Sequence, residues 1–299
     1  MPRKTLLIAM AVLALWLLPS LSFSSEEYTI GILSNRGGDE ALKEWKLTAA
    51  YLSAKLGKRF SIVPLGDKQL ALWTKEGRLD FIYTNPGQYI DLAKLYGIEA
   101  IATVVSDVKP GVSVDQVGSV IFVRRDSPIN ELADLKGKDL MCRGREAFGG
   151  WRATDLFFIE NGINPETYFG SIRETASHPN VVYAVLYGVT QVGVVRTGTL
   201  ELMAAAGKIK MQDFKVIHPV ADGFPLLHST PLYPEFPIAV CSRVPQEIRD
   251  QVAQALFALE PSDPASVAAK IVGYKKPLDY APVKALVDSL GVAASPKVK

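Results

Sequence analysis

Apolar positions switch between strand-like and helix-like spacing from residue 28 onward. Tyr28 to Leu33 is an apolar run of strand length. The next apolar residues recur at helical spacing before a glycine: Leu42, Trp45, Ala49, Leu52 and Leu56, followed by Gly57. Further strands are predicted at 59–64, 80–83 and 98–105, with helices between them. Strands separated by helices are typical of βαβ units, so the pattern predicts an α/β protein with mostly parallel sheets flanked by helices.

The segment 106–116 interrupts this pattern, because it is polar and has little apolar periodicity. We interpret it as a crossing into a second lobe, with predicted strands at 118–124, 139–142, 192–195 and 214–217. The chain then returns near 220–230, and helices at 245–259 and 280–290 complete the first lobe. The sequence therefore predicts a first lobe of residues 25–117 and 220–299, a second lobe of residues 118–219, and a ligand cleft between them.

The N-terminus has the pattern of a secretory signal peptide. Arg3 and Lys4 precede an uncharged apolar run of 13 residues, and small residues follow at Ser22 and Ser24. The alternative is a retained anchor, but a membrane-spanning helix needs about 20 apolar residues. We therefore predict that residues 1–24 are a signal peptide and that the mature protein is exported to the periplasm.

Charge and cysteine content narrow the function classes. The chain has 33 basic and 31 acidic side chains, and loss of Arg3 and Lys4 would leave 31 of each. A neutral mature protein has no basic surface for nucleic acid, so any anion must be held by local positive groups. The cysteines, Cys142 and Cys241, fit no zinc motif, and we expect two separate thiols, no bound metal and no cofactor.

Two loops place an arginine directly after a predicted strand. Arg36 and Gly37 follow the first strand, and Arg196 and Thr197 follow the strand at 192–195. The planar guanidinium fork suits an oxyanion, and a helix N-terminus next to it offers free N–H groups. For Arg36, an ordinary strand-to-helix turn explains the sequence equally well, and an exposed arginine is the common alternative for Arg196.

The loop at 84–89 also joins a strand to a helix. Thr84 and Asn85 can cap the helix, which would explain those two residues without any ligand. Capping does not explain Gln88 and Tyr89, which we expect to donate hydrogen bonds into the cleft. The whole cluster therefore favours a binding role.

A fourth loop combines arginines with a glycine-rich helix start. Phe148, Gly149 and Gly150 lead into a predicted helix, which again offers amide donors. Arg143 comes first after the strand, so we expect it to reach the ligand. Arg152 is expected to lie at the surface.

Enzymatic alternatives find less support in the sequence. It contains no His-Glu-x-x-His pair, no Gly-x-Ser-x-Gly elbow, no P-loop and no Gly-x-Gly-x-x-Gly. A binding protein is therefore favoured, and the alternative is an exported α/β enzyme that acts on a small anionic substrate.

Four stretches resemble a known family: Thr84–Tyr89, Phe148–Gly150, Gly193–Gly198 and Leu227–Pro234. The chain is similar to the substrate-binding proteins of phosphate, phosphite and phosphonate ABC transporters, and to the periplasmic sensor domains of tetrathionate-responsive histidine kinases. The last stretch is closer to the sensor branch. The resemblance implies a two-lobed, type 2 periplasmic-binding-protein fold with a small oxyanion in the cleft. It adds His228, Ser229 and Thr230 to the expected ligand contacts.

The chain departs from the family at positions that bear on its ligand and partner. Gln191 and Pro179-Asn180 replace acidic residues that the resemblance would imply, which argues against an aminoalkylphosphonate. The expected ligand is therefore a phosphonate-like, phosphite-like or sulfur oxyanion. The expected partner of this monomer is an ABC permease or, since the chain ends at Lys299 without a kinase, a separate membrane histidine kinase.

Overall fold

The computed structural model describes residues 26–34, 37–109 and 111–291. The predicted signal peptide, residues 1–24, and the candidate site residue Arg36 lie outside the described residues. In the part of the chain that is described, no helix combines the length and the apolarity that crossing a bilayer requires.

The first lobe is built on a mixed seven-stranded sheet. The strands β1, β2, β3 and β4 run in one direction: Glu27–Leu33, Arg59–Leu65, Phe81–Tyr83 and Glu99–Lys109. β5 (Val112–Val114) pairs back on β4. The helices of this half are α1 (Gly38–Leu56), α2 (Asp67–Lys75) and α3 (Pro86–Tyr96). α1 ends where Gly57 adopts φ 64°, a left-handed conformation that glycine reaches without steric cost.

The second lobe has a five-stranded sheet. Its strands, β7 to β11, are Ser119–Arg124, Asp139–Cys142, Ser171–Glu174, Val192–Arg196 and Phe214–Ile217, after the short β6 (Gln116–Val117). The spatial order is β11-β7-β10-β8-β9, with β7 antiparallel to both neighbours and β10, β8 and β9 parallel. A π-helical turn, Phe148–Arg152, runs directly into α4 (Ala153–Glu160). The remaining helices are α5 (Pro165–Tyr168), α6 (His178–Leu186) and α7 (Thr199–Ala205).

The C-terminal part of the chain returns to the first lobe and completes its sheet. β13 (Pro237–Val240) inserts antiparallel between β3 and β4, and β14 (Ile271–Lys275) pairs antiparallel with the outer side of β4. Three helices follow or separate these strands: α8 (Gln246–Phe257), α9 (Pro264–Ala269) and α10 (Ala281–Ser289). Because the inserted strand comes from the C-terminal part of the chain, the first lobe cannot form from residues 26–117 alone.

The two lobes are connected by a short ladder of the crossing segments. β6 pairs antiparallel with β12 (Tyr233–Pro234), and the Glu235 amide donates to the Asp115 carbonyl at 2.8 Å. On the second-lobe side, the Ser229 amide still donates to the Ser119 carbonyl at 2.8 Å. The chain therefore leaves the second sheet after Thr230, and the segment 231–236 carries it back to the first.

Each lobe has its own apolar core, and each core contains one cysteine. Cys241 packs with the first-lobe strands and α8, whereas Cys142 packs with Trp151 and Phe158 in the second lobe. Both are free thiols, which confirms the expectation of two separate cysteines.

We expect the native protein to react slowly with thiol reagents. Burial raises the pKa of both Cys142 and Cys241 to about 11, so little reactive thiolate is present at neutral pH. Dithionitrobenzoate should label neither thiol in buffer and both in guanidinium, and a reductant should leave the melting temperature unchanged. Fast labelling in buffer would show that one of the cores opens readily.

Candidate functional site

The first-lobe side of the site is the start of α3. Asn85 caps this helix by accepting a hydrogen bond from the Gln88 amide at 2.9 Å, and Pro86 occupies the first helical position. The Thr84 hydroxyl donates to Gln88 Oε1, and Gln88 Nε2 donates to the Asp67 carbonyl at 2.8 Å. All three polar side chains are buried, and Asn85 Nδ2 has no hydrogen-bond partner among the described residues. This helix start is therefore rigid and holds one unused donor.

The second-lobe side is the π-helical turn that begins at Phe148. Its amide bonds start with Trp151 and Arg152, which both donate to the Ala147 carbonyl at 2.8 and 3.1 Å. The first N–H groups of a helix have no partner within the helix. The N–H groups of Phe148, Gly149 and Gly150 therefore have no partner within the helix. They lie at its N-terminus, where the helix dipole also favours an anion.

The two glycines of this turn allow a close approach of the surrounding groups. A methyl group on Gly149 would lie 2.8 Å from the Gly118 carbonyl oxygen and 2.9 Å from Arg196 Cβ. One on Gly150 would lie 2.9 Å from His178 Cε1 and 3.2 Å from Arg143 Cβ. The structure thus gathers the predicted residues Arg143, Gly149, Gly150 and Arg196 around one helix end.

Arg196 connects the second lobe to the first. It is the last residue of β10, its Nη2 donates to Glu235 Oε1, and its guanidinium lies 5.4 Å from the ring centre of Phe236. The Arg196 side chain is 28% exposed, whereas that of Glu235 is only 1% exposed. Arg196 can therefore offer its other donors to a ligand while Glu235 fixes its position.

Arg143 also reaches toward the first lobe. Its Nη2 lies 4.0 Å from Asp67 Oδ2, and its side chain is mostly buried. Asp67 is the first residue of α2 and also supplies the carbonyl that holds Gln88. Arg143 and the start of α3 are therefore linked through one residue.

Arg152 is buried, and the expectation of a surface position is wrong. Its Nη1 donates to Asp91 Oδ2 at 2.8 Å, and its Nη2 donates to Glu146 Oε2 at 3.2 Å. Asp91 is also buried, and burial raises the pKa of its carboxyl while the Arg152 charge opposes that shift. The guanidinium also fills the space beside Gly87. A buried ion pair therefore holds the start of α3 against the π-helical turn.

Tyr89 and Thr197 are held by backbone groups. The Tyr89 hydroxyl accepts a hydrogen bond from the Ala100 amide at 3.2 Å, and its ring packs edge-on against Tyr280. Burial raises the pKa of Tyr89. Thr197 Oγ1 accepts from the Gly118 amide at 3.3 Å. Because the Tyr89 hydroxyl accepts in its bond with Ala100, its O–H donor is not used there, and donation to a ligand stays a prediction.

His228, Ser229 and Thr230 form the segment that bonds to β7. The Ser229 hydroxyl donates to the Ile217 carbonyl at 2.8 Å and accepts from the Ile121 amide at 3.0 Å. Thr230 Oγ1 accepts from the Ser119 amide, and the His228 ring bonds to the Thr230 carbonyl and to Asp222. Their polar atoms thus fix the last second-lobe segment before the crossing, and a contact with the ligand stays a prediction.

Other residues at the site were not expected from the sequence. Ser34 Oγ, just after β1, is buried and has no hydrogen-bond partner among the described residues. It precedes the predicted site residue Gly37, which has φ 102°. Asp91 and Glu235 were also missed. Glu235 has a sequence signal, because it is the one charged residue in the apolar stretch 231–240. A lone charge in such a stretch indicates a buried, paired group.

Among the described residues, no cluster of His, Cys, Asp and Glu could hold a metal ion.

Comparisons with known proteins match this architecture. A family model described as the periplasmic substrate-binding protein of phosphonate ABC transporters matches residues 30–280. The tetrathionate sensor histidine kinase of Salmonella typhimurium is 34% identical over 233 residues, which are 77% of this chain and 39% of that protein. The chain therefore spans well under half the length of that relative.

Two solved structures share the fold at low sequence identity. One is a binding protein component of an ABC phosphonate transporter from Pseudomonas aeruginosa, with TM-score 0.70, 15% identity, and coverage of 92% of this chain and 91% of that chain. The other is PhnD1 from Prochlorococcus marinus in complex with methylphosphonate, with TM-score 0.72, 13% identity, and coverage of 89% and 99%. They confirm the predicted two-lobed α/β fold of periplasmic binding proteins.

Proposed function

The chain belongs to the family of periplasmic substrate-binding proteins of phosphonate ABC transporters, and on that premise we propose that it captures a small oxyanion between its lobes. The family and the similar structures are binding proteins, so the protein is a binding protein and not an enzyme, and the family implies a periplasmic location. Export through a cleaved signal peptide at residues 1–24 and action as a monomer are parts of the proposal.

The observation that carries the proposal is the meeting of two helix N-termini from opposite lobes. A methyl group on Gly87, in the first turn of α3, would lie 3.0 Å from Phe148 Cδ2 in the π-helical turn. Helix N-termini are ready-made anion sites, because unpaired N–H groups and the helix dipole point the same way. Two such ends facing one another suit a ligand that is closed on from both sides.

Arginines on both sides supply the local charge that the neutral mature protein lacks overall. Arg143 and Arg196 lie beside the second-lobe helix end. In the proposal, Arg36 and Gly37, which precede α1, bind the ligand from the first lobe together with the start of α3. The guanidinium fork of each arginine binds two oxygen atoms of an oxyanion at once.

We expect Arg196→Ala and Arg36→Ala each to weaken oxyanion binding at least tenfold, which is about 1.4 kcal/mol. Lysine at either position should restore binding only in part, because an ammonium lacks the bidentate fork. Titration calorimetry measures the change. Arg124→Ala is the control, since Arg124 pairs with the exposed Asp126 at 2.6 Å. An equal loss in the control would mean that diffuse charge, rather than these two groups, attracts the ligand.

A thermal-shift screen tests the proposed function. The panel contains tetrathionate, thiosulfate, sulfite, phosphate, phosphite and methylphosphonate. A ligand at 100 times its dissociation constant adds about 2.7 kcal/mol of stability, so a true ligand raises the melting temperature by a saturable amount. We expect at least one oxyanion to do so. A panel without any saturable shift would refute the proposal, and turnover of a bound anion would favour an enzyme instead.

The proposed partner is an ABC permease or a separate membrane histidine kinase. The 34% identity to a tetrathionate sensor favours the kinase and a sulfur oxyanion. The phosphonate-transporter component and the methylphosphonate complex are only 15% and 13% identical. The genes beside this one separate the two possibilities. Kinase autophosphorylation that responds to the loaded protein would support sensing, whereas stimulated permease ATPase activity would support transport.

A further inference from the structure

We infer that Glu235 makes the cleft prefer an oxyanion end that carries one negative charge, as a sulfonate does, over one that carries two, as a phosphonate does. The inference rests on the proposed function and deepens it, because it names the charge class that the same site selects.

Glu235 occupies a position where a carboxylate is costly. It lies between β12 and β13, where the chain returns to the first lobe, and it is 1% exposed. Its Oε1 accepts hydrogen bonds from Ser106 Oγ at 2.9 Å and from Arg196 Nη2. Its Oε2 has no hydrogen-bond partner among the described residues. A buried carboxylate is tolerated because it is paired, yet half of its acceptor capacity is unused.

Hydrogen bonding alone does not require a carboxylate at this position. A glutamine has the same shape, and its amide oxygen could accept the same bonds from Ser106 and Arg196. What the glutamate adds is a negative charge, held beside the arginine that the proposal assigns to the ligand. Glu235 is therefore a positioning residue for Arg196 that also sets the charge of the site.

That charge acts differently on singly and doubly charged ligands. An anion on the free donors of Arg196 is attracted by the guanidinium and repelled by Glu235, so much of the attraction is cancelled. Two further arginines near this helix end are also paired with carboxylates, since Arg143 lies 4.0 Å from Asp67 Oδ2 and Arg152 bonds to Asp91. A second ligand charge would need more desolvation and would gain little in return. The site therefore suits an anion whose charge is low for its number of oxygen atoms.

Methanesulfonate and methylphosphonate form a matched pair of probes. Both carry a methyl group and three oxygen atoms, and at an alkaline pH methylphosphonate carries two charges while methanesulfonate carries one. Calorimetric titration of the wild-type protein should give at least tenfold tighter binding of methanesulfonate. In Glu235→Gln, the ratio of the two dissociation constants should move at least tenfold toward methylphosphonate. Glu235→Asp, which keeps the charge, should retain the wild-type preference.

The ratio separates charge selection from simple damage to the site, because a merely structural role of Glu235 would weaken both probes alike. Glu260→Gln removes one carboxylate from the exposed surface and should leave the ratio unchanged. If Glu235→Gln is unstable, the titrations are made in sucrose, which favours the folded state. An unchanged ratio, a wild-type preference for methylphosphonate, or binding of neither probe while another oxyanion binds would overturn the inference. Binding of no oxyanion at all would instead refute the proposed function.

Discussion

Asp91→Ala is expected to lower the free energy of unfolding by about 3–5 kcal/mol. The change leaves the Arg152 guanidinium, whose side chain is 3% exposed, without its partner at 2.8 Å. Breaking a buried ion pair from one side is costly because the remaining charge loses its buried partner. Arg152 keeps only the bond to the exposed Glu146, at 3.2 Å. Denaturant unfolding monitored by circular dichroism measures the loss.

Two variants control this experiment. Asp126→Ala breaks the exposed pair with Arg124 and should change stability by less than about 1 kcal/mol. Asp91→Leu combined with Arg152→Met replaces the whole buried pair by apolar groups and should recover most of the loss. A loss below about 1 kcal/mol in Asp91→Ala would show that this pair does not hold the two lobes together.

Gly149→Ala should weaken oxyanion binding at least a hundredfold, which is about 2.7 kcal/mol. The added methyl group would lie 2.8 Å from the Gly118 carbonyl oxygen, a backbone atom of the crossing segment, and 2.9 Å from Arg196 Cβ. Either the π-helical turn or the crossing segment must move, and both changes misplace the donors that the proposal assigns to the ligand. Titration calorimetry measures the affinity.

Gly66→Ala is the matched control for this substitution. Gly66 precedes α2 in an extended conformation with φ −76°, and a methyl group there would meet no atom within 4 Å. Its affinity should stay within threefold of the wild-type value, roughly 0.7 kcal/mol. Equal affinities of Gly149→Ala and the wild-type protein would remove the π-helical turn from the site.

Much of the fold could be predicted from the apolar pattern, because buried strands and long amphipathic helices have clear apolar spacing in the sequence. The strands Asp139–Cys142 and Phe214–Ile217 were predicted with their observed bounds. β9 was missed, because Ser171–Glu174 lies at a sheet edge and is only half-buried. β14 was missed too, since Gly273, at φ 140°, interrupts its pattern and its pairing shifts register there.

Strand direction and the extent of β4 could not be predicted. β13 lies antiparallel between β3 and β4, and β14 and β5 also pair antiparallel with β4, so the first sheet is less parallel than its sequence pattern suggests. The polar segment after Val105 was interpreted as a crossing, yet β4 continues to Lys109 and pairs with β5. Both features depend on contacts between distant parts of the chain, which local spacing does not encode.

For the candidate site, sequence reasoning was most informative where residues follow buried strands. Arg143 and Arg196 come after β8 and at the end of β10, which are parallel neighbours, so both residues lie at the same edge of the sheet. The Arg152–Asp91 pair could not be predicted, because its members are 61 residues apart. An arginine can be buried only where a carboxylate pairs with it, and the folded structure is needed to identify that partner.

A crystal structure of the protein with the tightest-binding oxyanion of the screen tests the central claim most directly. We predict an anion between the lobes, within hydrogen-bond distance of the Gly149 or Gly150 amide and of the Arg196 guanidinium. First-lobe groups near Thr84 and Asn85 should close on its other side. An anion bound elsewhere on the surface, or held by one lobe alone, would contradict it.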